Sequence, residues 1–158
     1  MARVKRGQPW TGLAVLSVLC SVSCATHHGR GVSAPAAGGT LNLVTVTPSS
    51  GERVSKTTVV VAELAYSVTG FRKGRFYVTA QVATDDPKRT TSGRMPPARH
   101  VKLKATEGRL SLAFPVESVW DMPGIRRPLR IWFYLHETTG HGRSRVIAMT
   151  GPTDYGVD

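Results

Sequence analysis

Side chains able to do chemistry are sparse in this sequence, and their spacing argues against a catalytic centre. The two thiols, Cys20 and Cys24, both fall near the start of the chain. Four of the five histidines come in pairs without a third ligand: His27 and His28 are adjacent, and His136 and His141 straddle one expected hairpin, whereas zinc wants at least a third protein group. Asp85-Asp86 offers too few oxygens for calcium, which takes roughly six or more. Glu117 and Asp121 stand four apart in a proline-bounded connection with no evident third group. There is no G-x-S-x-G, H-E-x-x-H, P-loop or G-x-G-x-x-G. The expectation is a non-enzymatic protein with no metal and no cofactor.

Two other groups of residues suit binding. The first is cationic. The connection Asp85 to His100 carries Lys88, Arg89, Arg94 and Arg99, and Lys102 and Lys104 extend the charge onto the next strand. This set is a candidate surface for an anionic envelope polymer; the competing reading is a long, solvated insertion. The second group is aromatic. In Leu129 to Glu137, alternation places Arg130, Trp132, Tyr134 and His136 on one face, opposite Leu129, Ile131, Phe133 and Leu135. Such a strip would stack on sugar rings or anchor a protein partner, or else lie covered by a neighbouring segment.

The charge balance is 21 Lys plus Arg against 10 Asp plus Glu, a formal net charge of +11. An excess of this size attracts polyanions, and it also serves plain solubility. In the cytosol, nucleic acid would be the natural partner. The N-terminus redirects that reading, so no nucleic acid is expected. Arg3, Lys5 and Arg6 form a cationic head, Thr11 to Val22 is an uncharged apolar run, and small residues close the segment at Ser23-Cys24-Ala25. A positive head, an apolar middle and a small-residue exit make an export signal. The run falls short of the roughly 20 residues that span a bilayer. Loss of the three head charges with the leader would take the net charge from +11 to +8.

The end of this leader, Ser23-Cys24, resembles a bacterial lipoprotein signal. In that family the cysteine receives a diacylglycerol and becomes the new N-terminus, which implies Cys24 as lipid attachment and the membrane as a partner. Ala25 in place of aspartate resembles lipoproteins passed to the outer membrane, facing the periplasm. The alternative is an ordinary secretory signal cut before Thr26, which would release a soluble periplasmic or secreted module. A mature chain starting at Cys24 has no second thiol and so no internal disulfide.

These groups need a scaffold, and its signals are of one kind. Residues 1–23 read as the signal peptide and residues 24–40, rich in small residues and glycine, as the lipidated cysteine and a flexible tether. As a coil such a tether reaches about 20 Å. Residues 41–158 read as one domain, large enough to bury a core. Alternating or β-branched runs predict strands over 41–47, 57–68, 75–84, 101–106, 109–114, 129–137 and 143–150. Glu107-Gly108 predicts a hairpin joining the fourth and fifth of them, with Lys102, Lys104 and Arg109 on its solvent side. Val119 and Trp120 are expected to plug one end of the core. About seven strands without helical periodicity predict an all-β, antiparallel sandwich of immunoglobulin or fibronectin III type, a closed barrel being the alternative. Fold alone carries no function.

Overall fold

The computed structural model describes residues 37–93, 100–140 and 142–158. Cys24, His27, His28, Arg94, Arg99 and His141 lie outside them.

Strand β1 (Gly39–Thr47), β2 (Arg53–Val54) and β3 (Val59–Val68) come first, followed by β4 (Phe76–Ala83), β5 (Thr90–Thr91) and β6 (Val101–Lys102). After them come β7 (Glu107–Pro115), the single helical turn α1 (Glu117–Trp120), β8 (Leu129–Gly140), β9 (Arg143–Met149) and β10 (Thr153–Val157). A three-stranded sheet has the order β1-β3-β7. The second sheet runs β2-β10-β8-β4-β5, with β6 also on β4 and β9 also on β8. The pairs are antiparallel except β2 with β10, which are parallel.

The period-two pattern of β3 places Val60, Ala62, Leu64, Tyr66 and Val68 inward, and all five are buried. They meet Phe76, Val78, Ala80 and Val82 of β4 and Leu129, Ile131, Phe133 and Leu135 of β8 in one core between the sheets. That is an all-β sandwich, with the inward faces assigned by alternation. Val119 is buried and Trp120 half-buried against the core, so α1 closes that end as expected. Tyr155 of β10 is also fully buried; its hydroxyl donates to the Pro48 carbonyl (2.9 Å), and burial raises its pKa to about 12.

The expected hairpin over 101–114 is not formed. Strand β6 pairs with β4, through Val101–Val78 and Lys102–Tyr77, while β7 pairs with β3, from Glu107–Ser67 to Pro115–Val59. The chain therefore changes sheets between Leu103, whose N–H donates to the Phe76 carbonyl (3.0 Å), and Thr106, whose carbonyl accepts from Val68 N–H (2.7 Å). A turn signal is local, whereas β3 offers β7 a nine-pair ladder that a two-residue hairpin partner cannot match.

Chain entry into the domain is set by close packing at Gly39. It pairs with Val68, and a Cβ there would stand 2.7 Å from the Ser67 carbonyl oxygen, so any larger residue would push β1 off β3. Arg145 of β9 donates to the Ala37 carbonyl (3.1 Å), fixing the entry beside the start of β9.

Candidate functional site

On β8 the predicted strip does face away from the core. Arg130, Trp132 and Tyr134 are half-buried and His136 is buried. Register explains the difference, because His136 pairs with Tyr77, Tyr134 with Thr79 and Trp132 with Gln81. Tyr77 lies flat on His136 (centroids 4.9 Å apart, planes at 7°), and His100 stacks on its other side (4.9 Å, 17°). The Thr79 hydroxyl meets His136 Nε2 at 3.0 Å. Burial, with a smaller repulsion from His100, lowers the His136 pKa below its ordinary value. At the other end of the strip, Arg130 makes two hydrogen bonds to Asp154 (2.6 and 2.9 Å), and Asp154 is held below the usual carboxylate range by that contact. The ring faces of the histidine–tyrosine column are thus used on one another. Tyr77 and His100 were missed by the strip as read from β8 alone; Tyr77 does sit on the outward phase of β4, but its neighbour depends on register.

The cationic group is divided by the fold. Arg89 pairs with Asp86 (3.3 Å), and the same carboxylate accepts from the Lys88 N–H (2.9 Å). Both cations stand beside β5, which pairs with Val82 and Ala83 at the end of β4. Lys102 and Lys104 lie at the start of β4, where Lys102 is opposite Tyr77, about 24 Å from Arg89 opposite Thr84 at ~3.4 Å per residue. There they join Arg109 of β7. All three are exposed, and with Tyr66, Leu110 and Ser111 they line a groove of about 310 Å³ opened by the divergence of β6 and β7. A neighbouring apolar groove of about 440 Å³ continues past Val101 to Leu112, Ala113, Pro115 and Val59.

All ten carboxylates of the chain lie among the described residues, so the ion pairing of Lys102, Lys104 and Arg109 can be counted. None of the three has a salt bridge to an Asp or Glu. The two ends of the sandwich differ. At the end remote from chain entry, Arg53 pairs with Asp158, Lys56 with Asp121 (2.6 Å), Arg89 with Asp86 and Arg130 with Asp154. Lys88, Arg126 and Arg127 are matched in number there by Glu52, Asp85 and Glu117. At the entry end the carboxylates are Glu107 and Glu137, the latter already shared by Arg75 (3.7 Å) and Arg145 (2.7 Å), and the tenth, Glu63, sits midway along β3 opposite Ser111, next on the outward face to the Ala65–Arg109 pair. Arg72, Lys73, Lys102, Lys104, Arg109 and Arg143 complete that end, all exposed.

Asp121, one of the two spaced carboxylates, is occupied by Lys56, whose own pKa it raises through a hydrogen bond. Among the described residues no cluster of three or more His, Cys, Asp or Glu is arranged to hold a metal ion. The chain matches no protein-family model, and no characterised sequence matches it.

Proposed function

We propose that this protein is a non-catalytic binding accessory of the bacterial cell envelope, held to the membrane by lipid on Cys24 and engaging an anionic envelope component through its basic surface. One observation carries the binding part: Lys102, Lys104 and Arg109 converge on a groove, and none of the three is salt-bridged to a carboxylate of its own chain. Unpaired cations around a concave, partly apolar surface raise the local concentration of anions. The aromatic strip supports a lesser role, since His136 stacks on Tyr77, bracing β4 against β8, and Tyr134 tilts against His136.

The test has two arms. Radiolabelled fatty acid should enter the wild-type chain and be lost in Cys24→Ala, with the protein moving from the membrane to the soluble fraction; unchanged membrane retention would remove the anchor. Separately, Lys102→Glu, Lys104→Glu and Arg109→Glu together should release the protein from an acidic polysaccharide column at much lower salt, because exposed charges act through a screened field. Elution at the wild-type salt concentration would remove the anion site.

A further inference from the structure

The separation of charge along the sandwich says which anion is nearest. Six exposed cations (Arg72, Lys73, Lys102, Lys104, Arg109 and Arg143) share the entry end with one unshared carboxylate, Glu107, and the next unshared one, Glu63, stands midway along β3. The opposite end balances seven cations with seven carboxylates. This polarity follows the strand ends. The β3–β4 turn, the β6–β7 crossover and the start of β9 all meet where Gly39 pairs with Val68. The described chain therefore enters the domain, at Ala37 to Gly39, at its basic end.

We infer that this basic end docks on anionic phospholipid headgroups of the membrane that holds the chain, so that the domain lies on the bilayer with the β6–β7 crossover down. The inference rests on the reading of Cys24 as the lipid-bearing residue, and it names the anion: a headgroup phosphate and not a polysaccharide. Two physical points carry it. Each Lys or Arg close to an anionic surface contributes about 1 kcal/mol, and an acyl chain joined to a polybasic patch is the usual two-part membrane attachment. The fifteen residue steps from Cys24 to Gly39 span at most about 50 Å, which keeps the patch near the headgroups at high effective concentration. The patch then sets orientation, because the lipid already sets location. A polysaccharide would meet the same cations but without that coupling.

The full lipidated chain, reconstituted into vesicles of phosphatidylcholine alone or of phosphatidylcholine with phosphatidylglycerol, is treated with an amine-acetylating reagent and each lysine is followed by mass spectrometry. With phosphatidylglycerol, Lys73, Lys102 and Lys104 should react about tenfold more slowly than in neutral vesicles. Lys88, at the balanced end, should react at the same rate in both, and high salt should remove the protection. Charge reversal at Lys102, Lys104 and Arg109 should return Lys73 to its neutral-vesicle rate. Equal rates in both lipids, or protection of Lys88 to the same degree as Lys73, would overturn the docking. Protection that needs added acidic polysaccharide would overturn the lipid assignment and leave the anion site standing. No protection by any polyanion would defeat both.

Discussion

Strands β7 and β8 alternate in the same way and feed the same core, but they are finished differently. Strand β8 has β4 along one edge and β9 then β10 along the other, and where those two part, Thr150 bridges the gap to Phe133 by N–H to carbonyl (3.0 Å) and by its hydroxyl (3.2 Å). Among the described residues β7 pairs with β3 alone. One strand is satisfied on all sides and its outward residues pack on their neighbours. The other borders a groove, and the unpaired cations stand there. Stability and binding capacity are thereby placed on different strands, and variants should separate them.

The largest effect belongs to Phe133→Ala on β8. The side chain is fully buried, and its loss should cost about 3–5 kcal/mol in denaturant unfolding. Leu110→Ala on β7, half-buried, should cost about a third of that; equal losses would break the contrast between the strands. An intermediate effect concerns acid. Because the folded-state pKa of His136 lies below its unfolded value, the unfolded chain takes up a proton first as pH falls. Stability should be level above about pH 6.5 and decline below it, and His136→Gln should flatten the acid side of a melting-temperature profile. A profile unchanged by that substitution would show that His136 does not govern acid sensitivity. The smallest effect is Arg109→Ala on β7, expected to shift stability by no more than about 0.5 kcal/mol. A loss of several kcal/mol on thermal unfolding would mean that Arg109 holds the fold and is not free for a ligand.

Legibility followed the same division. The inward residues of β3, β4 and β8 could be read because each strand has one buried face, and a slip of one residue would invert the whole pattern. Strands β2, β5 and β10 escaped notice: two have only two residues, and β10 contains Asp154 and Gly156, types that strands disfavour. The β6–β7 hairpin was misread because Glu107-Gly108 is a local signal, while the choice of partner depends on β3, some 40 residues earlier in the chain. The groove exists because of that non-local choice, so its lining could not be assembled from spacing. Lys102, Lys104 and Arg109 were legible as exposed cations. Their freedom from carboxylates was not, since it depends on which pairs form at the opposite end. Tyr77 and His100 needed the β4–β8 register to be seen as companions of His136.

The position of Gly39 also has a mechanical meaning. A pull applied at Gly39 along the axis of β1 would load the rungs between β1 and β3, from Gly39–Val68 to Thr47–Val61, side by side in shear. Rungs loaded that way share the force and yield together, where a pull across the strand would peel them one after another. The domain thus begins with an edge strand that resists being drawn out lengthwise.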